Sequence, residues 1–370
     1  MIRLTDISFY ANSEYADTDE LLDAQQASLL YADALKNKLQ IDIVKHIEGT
    51  DTRIIQKENI SFFISKNKHG FIPRATVTHL RKFKPDIVFV HGLIFPLHII
   101  RLAMILGRKA RIVIWHHAER PQGWIKKVFQ RIADCFISRY LFTSSENAAE
   151  WMDARIISNR KKIVETPSTL TVFSRQNKEM CRQKLQMDNG LHYIWVGRLD
   201  QIKDPVTVIA GFEKFLSAVP SAKLHMIYQS GELLTDISQQ LSNKPSLKDH
   251  IVLQGKVPHA ELEVWYSAAD FLISGSRREA GSVVLLEAMA CGCIPVVTAI
   301  PASLKVIADG KYGFSYGAGN AEELAETLVS SVKTNRKSLS EQITNHFEKE
   351  YSVAAVTDKL YSLCSELTGK

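Results

Sequence analysis

What most limits the fold of this chain is a rhythm. Short apolar runs of three to seven residues alternate with segments of helical periodicity from end to end. In the first half the runs are residues 4–10, 40–45, 87–90, 111–115 and 140–143, with helical patterns over 20–36 and 76–82. In the second half they are 193–196, 223–227, 251–253, 271–274 and 294–298, with helices expected over 205–218, 262–268 and 283–290. Apolar runs without polar alternation suit strands buried on both faces, and helices between them supply the crossovers of a parallel sheet. The expected class is α/β, in two Rossmann-like doubly wound domains. A length of 370 residues fits two domains. The polar stretch 174–190 is the expected junction, giving domains 1–173 and 174–352 and a terminal helix within 353–370.

Composition closes several alternatives. With 45% hydrophobic and 23% charged residues the chain is neither disordered nor collagen-like. Five cysteines with no CxxC pair imply neither a disulfide framework nor a zinc site, so a cytoplasmic location is expected. The N-terminus lacks a signal peptide pattern. The most apolar stretch, 87–106, is broken by His91, Pro96, His98 and Arg101 and reads as strand, loop and helix rather than a membrane span.

The net charge of +6 is unevenly spread. Residues 1–175 hold 26 Lys+Arg against 18 Asp+Glu, and residues 53–131 alone hold 16 against 3. A field of this sign attracts a phosphorylated ligand or an anionic membrane; nucleic acid has no supporting motif. Thirteen of the 18 glycines follow residue 173. The second half is therefore the better candidate for gripping phosphates with its backbone.

Two motifs there carry chemistry. In Val196-Gly197-Arg198-Leu199-Asp200-Gln201-Ile202-Lys203-Asp204-Pro205 a strand ends at Gly197 and a helix begins near Pro205. Arg198 and Lys203 then lie beyond a strand's carboxyl end, where open α/β sheets bind ligands, and two cations on one loop suit a diphosphate. The bland alternative is a solvated loop whose cations pair with Asp200 and Asp204. The second motif runs Ser276-Arg277-Arg278-Glu279-Ala280-Gly281-Ser282-Val283-Val284-Leu285-Leu286-Glu287, closing at Gly292. Ser282 is a good N-cap, and the helix start suits a phosphate. Glu287, among apolar neighbours, needs a partner, either a ribose diol or a nearby arginine.

These segments, with Leu253-Gln254-Gly255-Lys256-Val257-Pro258, Trp265-Tyr266 and Ala269-Asp270, resemble the group 1 glycosyltransferases, the retaining GT-B enzymes of family four. The resemblance rests above all on the Glu-x7-Glu pattern of Glu279 and Glu287. It implies the GT-B fold, with two domains facing a central cleft and the last helix crossing back to the first domain. By the same resemblance Arg198 and Lys203 hold the donor diphosphate, Glu279 the donor sugar hydroxyls and Glu287 the ribose. Backbone N–H groups of Gly281, Ser282 and Val283 serve sugar and phosphates, while Gly197, Gly255 and Val257 border the nucleotide. In Trp115-His116-His117-Ala118-Glu119 a histidine would face the donor sugar, and His117 is preferred over His116 by its place on the loop side of the strand end.

Three positions depart from the family: Phe9-Tyr10-Ala11-Asn12-Ser13 replaces a glycine-rich loop, Glu279-Ala280-Gly281-Ser282 stands for Glu-Gly-Phe-Gly, and Tyr228-Gln229-Ser230-Gly231 replaces a second glycine loop.

Asp17-Thr18-Asp19 spells a DxD metal motif, but before a helical pattern it reads as a helix start. No metal and no cofactor are expected. Residues 124–132 form a basic amphipathic helix with Ile125, Val128, Phe129 and Ile132 on one face. Either it docks on an anionic membrane, or it packs on the sheet with its basic face solvated. The expected activity is retaining transfer of a hexose from a UDP- or GDP-linked sugar to a hydroxyl of a glycan or lipid-linked oligosaccharide. Surface polysaccharide or lipopolysaccharide synthesis is the expected setting, peripherally on the inner face of the plasma membrane. The alternatives are a non-catalytic sugar-nucleotide or polysaccharide-binding protein and a nucleotide-sugar epimerase. A phosphorylase would need a pyridoxal lysine that the sequence does not point to, and a nicotinamide dehydrogenase lacks a GxGxxG after a strand.

Overall fold

The computed structural model describes residues 1–9, 26–47, 53–57, 60–66, 72–117, 119–229 and 231–370. Tyr10–Ser13 of the glycine-free loop, the Asp17-Thr18-Asp19 triplet, residues 20–25 and Ser230 lie outside them. The chain divides into two compact units, Met1–Leu170 with Val353–Lys370, and Thr171–Ser352.

The first unit is built on strands β1 (Ile2–Ser8), β2 (Leu39–Ile47), β3 (Arg53–Lys57), β4 (Ile60–Lys66), β5 (Ile87–His91), β6 (Arg111–Trp115), β7 (Ile137–Phe142) and β8 (Ile163–Glu165). Among the described residues they form one sheet in the order β3-β4-β2-β1-β5-β6-β7-β8. All pairings are parallel except the β3–β4 hairpin, which the apolar rhythm does not anticipate. β5 is buried along its whole length, as expected of a central strand with helices on both faces. The C-terminal helix Val353–Thr368 seats Val356, Leu360, Leu363 and Cys364 in the core around Leu4, Tyr31, Ile41 and Phe89.

The second unit holds β9 (His192–Gly197), β10 (Lys223–Tyr228), β11 (Ile251–Gly255), β12 (Phe271–Ser274), β13 (Ile294–Thr298) and β14 (Phe314–Tyr316). Their order is β11-β10-β9-β12-β13-β14, all parallel. The order turns outward on either side of β9, a switch point of the doubly wound kind, and the crevice there is where such sheets place ligands. Tyr193 stacks on Phe271 at 5.0 Å and meets Phe212 and Phe215 edge-on, which ties β9 and β12 to the helix Pro205–Leu216.

The helix Val283–Ala290 ends in a Schellman turn. Cys293 N–H donates to Ala288 C=O at 2.8 Å and Gly292 N–H to Met289 C=O at 3.0 Å, with Gly292 at φ +73°. The observed strands and helices lie within a few residues of the expected ones, and the α/β class with two doubly wound sheets is the class found.

Candidate functional site

At the switch point the carboxyl ends of β9 and β12 feed two loops that lock together. Arg277 N–H donates to Ile202 C=O at 2.8 Å, and the Arg277 guanidinium holds Asp204 through Nε at 2.9 Å and a terminal nitrogen at 2.8 Å. Gly275 permits this approach, since a methyl group there would lie 2.8 Å from the Asp204 carbonyl oxygen and 2.9 Å from that of Lys203. Asp204 also caps the helix Pro205–Leu216, accepting from Thr207 N–H at 3.2 Å. The alternative of a solvated loop whose cations pair with Asp200 and Asp204 fails at Asp204. Asp204 is held by Arg277, not by Arg198 or Lys203, because the αL backbone at Asp204 (φ 43°) turns it toward its cap and the neighbouring loop.

The two expected cations are placed differently. Arg198 extends from the turn after Gly197, its side chain 63% exposed, with Nε 3.0 Å from Asp200 Oδ2. Lys203 is mostly covered, and its Nζ donates to Glu279 Oε1. Asp200 orders the turn between them by accepting from Lys203 N–H at 2.9 Å. Lys203 and Glu279, from separate motifs, are thus brought together as an ion pair.

Gly281 and Ser282 follow, and Ser282 Oγ caps the helix Val283–Ala290 at Leu285 N–H, 3.4 Å away. The first N–H groups of any α-helix lack an acceptor within the helix, so Val283 and Val284 present donors at its positive end. One turn in, Glu287 is only 1% exposed. A buried carboxylate is costly unless paired. Here His259 Nε2 lies 2.6 Å from Oε1 and Tyr266 O–H donates to Oε2 at 3.3 Å. The hydrogen bond to Glu287 raises the His259 pKa above its usual value against a smaller opposing effect of burial, and burial beside that carboxylate drives the Tyr266 phenol well up.

Sequence reasoning registered that Glu287 needs a partner but not that His259 supplies it; no spacing rule links residues 28 positions apart. Gly255 ends β11 at φ +74°, and Val257, half-buried against the core of this unit, leads to His259.

In the first unit the adjacent histidines part ways. His116 is 4% exposed, its ring against Phe142 (4.4 Å) and Trp151 (5.9 Å), and burial lowers its pKa. His117 stacks on His91 at 5.0 Å and its N–H donates to Glu119 Oε2 at 2.9 Å.

The basic helix, Trp124–Asp134, does not pack its apolar side inward, as the second of the two alternatives had it. Its buried residues are Gln130, Ala133 and Asp134, whereas Trp124, Ile125, Val128 and Ile132 are 77%, 55%, 45% and 45% exposed. The reason is polar. Gln130 donates to Leu93 C=O at 3.0 Å, and Asp134 accepts from Tyr140 O–H at 2.7 Å and from Lys162 Nζ at 3.0 Å, which turns the polar side inward. No helix among the described residues is long and apolar enough to cross a membrane.

Residues 177–349 match the model of a family described as glycosyl transferases, group 1. The alpha-monoglucosyldiacylglycerol synthase of Streptococcus pneumoniae is 26% identical over 191 residues, 50% of this chain and 43% of that protein. The chain therefore spans less than half the length of that curated relative. The sucrose-phosphate synthase of Thermosynechococcus elongatus superposes over 100% of both chains with a TM-score of 0.77 at 15% identity. Anabaena HepE, solved in complex with UDP, does so over 99% of this chain and 100% of its own, with a TM-score of 0.74 at 14% identity. These likenesses show that the fold is GT-B.

Proposed function

We propose that this chain, whose residues 177–349 belong to the group 1 glycosyltransferases, transfers a hexosyl group from a UDP- or GDP-linked sugar to a hydroxyl of a glycan or lipid-linked acceptor, with retention and without a metal. The observation that carries the reading is the Lys203–Glu279 pair beside the start of the helix that buries Glu287. The pair exchanges partners when donor arrives: Lys203 turns to the diphosphate and Glu279 is released to accept from sugar hydroxyls. Arg198, still exposed, closes on the same phosphates. Glu287 keeps lone pairs for a ribose diol even with His259 and Tyr266 in place. Gly255 and Val257 border the base, and His117 serves the sugar. Attack then occurs on the leaving-group face, and the departing diphosphate takes the acceptor's proton. Lys203, Arg198 and the N–H groups at Gly281, Ser282 and Val283 stabilise the charge that develops on it.

The exposed apolar stripe of the helix Trp124–Asp134, flanked by Lys127 and Arg131, supports a peripheral site on an anionic membrane. Leu97 and Met104 on the helix Pro96–Leu106, which contacts that helix, are exposed as well. A lipid-linked acceptor in surface polysaccharide or lipopolysaccharide synthesis would meet the enzyme there, at the inner face of the plasma membrane. The glycolipid product in the name of the Streptococcus pneumoniae relative agrees with such an acceptor.

The test is a panel of UDP- and GDP-sugars, with and without glycolipid acceptors and chelator. Release of UDP or GDP that persists with chelator, and a product of unchanged anomeric configuration by NMR, are expected. A changed sugar nucleotide formed without acceptor would mean an epimerase; binding without nucleotide release would mean a binding protein.

A further inference from the structure

The second unit holds a cavity of about 820 Å³ away from the loops described above. Asp270, just before β12, lies in its wall, as do Gly292 and Ile294 at the start of β13. The cavity therefore sits at the amino ends of the strands, whereas the loops that carry Arg198, Lys203 and Glu279 follow the carboxyl ends of β9 and β12. These strands have six and four residues, so roughly 13–20 Å of sheet separates the two places.

Five cations line the cavity. Arg175 precedes the helix Lys178–Lys184, which contributes Lys178 and Arg182, and the helix Arg336–Glu350 contributes Arg336 and Lys337. The carboxylates in the lining are Glu179 and Asp270. Asp270 is buried and already holds three of the cations. Its Oδ1 accepts from Lys178 Nζ at 2.7 Å and lies 3.9 Å from Arg336 Nε, and its Oδ2 accepts from Arg182 at 2.8 Å and from His192 N–H at 2.9 Å. One negative charge is thus shared among three positive ones. Arg175 and Lys337 are exposed and make no hydrogen bond or ion pair among the described residues. The Arg175 stem lies against Gly292, where a methyl group would stand 3.3 Å from its Cδ.

Like charges gathered on one concave surface repel one another, and a bound anion relieves that cost. The volume is that of a small-ligand site, about 300–1,000 Å³, but the charged lining selects an ionic ligand rather than an apolar one. The cations come from separate segments, so a ligand with more than one anionic group meets them better than a single phosphate does. Guanidinium groups suit phosphate in particular, because their paired N–H donors match its oxygens.

We propose that this cavity is a second anion site, which takes a small soluble ligand bearing two or more phosphate groups and engages it through Arg175 and Lys337. The site is independent of the donor reading, since it shares no residue with the loops after β9 and β12.

The test is calorimetric titration of the full chain with pyrophosphate, inorganic phosphate and sulfate at physiological salt. Wild type, Lys203→Ala and the double variant Arg175→Gln/Lys337→Gln are compared, each shown to be folded by its melting curve. Wild type is expected to bind pyrophosphate more tightly than phosphate or sulfate. Lys203→Ala is expected to retain that binding, and the double variant to weaken it at least about tenfold, the scale for losing a hydrogen bond to a charged group. The double variant is expected to release UDP or GDP at the wild-type rate. No binding of pyrophosphate by wild type, or equal binding by the folded double variant, overturns the proposal. Pyrophosphate binding abolished in Lys203→Ala places the anion at the donor loops and overturns it too, leaving the donor reading intact. Equal, weak binding of all three anions means an adventitious ion only. Loss of anionic vesicle binding in the double variant, with no pyrophosphate binding by wild type, would make these cations a membrane contact instead.

Discussion

Glu287 is an acid inside an apolar helix, and its neighbours decide how it is held. The sequence makes the need for a partner visible, because Leu286, Ala288 and Met289 surround it. The identity of the partner is not legible, since His259 reaches it from another loop. The pair has a thermodynamic consequence. His259 has a folded pKa above its ordinary value of 6.5. Its contribution to stability is therefore fully present below pH 6.5 and lost as pH rises through the folded value. His259→Ala should lower the melting temperature at pH 6 and do so less at pH 9; calorimetry at both pH values reads the difference. An equal loss at both would mean that the ion pair contributes nothing. His116 and His117 make the complementary point. Adjacent in sequence and alike in chemistry, they are separated only by the strand end, which sends one ring against Trp151 and the other against His91.

At the scale of elements, the central strands were the most legible. β6, β12 and β13 coincide with their apolar runs because strands buried on both faces are apolar throughout. The hairpin β3–β4 was not legible, since Arg53, Gln56, Lys57 and Lys66 interrupt the pattern. β8 and β14, three residues each, are too short to show a period. The turn closing the helix Val283–Ala290 was legible through Gly292, and it has a measurable cost. Gly292→Ala should destabilise the protein by about 1–2 kcal/mol from the left-handed backbone alone, and by more because the new methyl would lie 2.6 Å from Ser340 Oγ. Denaturant unfolding would show it.

The helix Trp124–Asp134 was legible as amphipathic but not in its orientation, which Gln130 and Asp134 decide through bonds to residues distant in sequence. The double variant Trp124→Ser/Val128→Ser should lose most binding to anionic vesicles with stability changed by less than about 0.5 kcal/mol, since neither side chain is in the core. Vesicle sedimentation with anionic and neutral lipid separates the outcomes, and unchanged binding to anionic vesicles would remove the membrane reading.

For the whole molecule, the uneven charge and glycine content pointed to two units with different work. The glycine-rich second unit brings the residues of two separate motifs into one place. The first carries the basic excess and an apolar helix face turned to solvent. The resemblance to group 1 glycosyltransferases reached the second unit because its motifs are local, each a strand end with its loop and helix start. In the first unit it reached His117 but not His91 or Asp6, which line up with it only when three strands align.

In the proposed reaction Lys203 and Glu279 hold and activate a nucleotide-sugar donor. The most direct measurement is the rate of UDP or GDP release for wild type, Lys203→Ala and Glu279→Ala, each shown to be folded by its melting curve. Both variants are expected to fall by about 100-fold or more, the range for removing a group that stabilises developing charge. Wild-type rates in both folded variants would contradict the account.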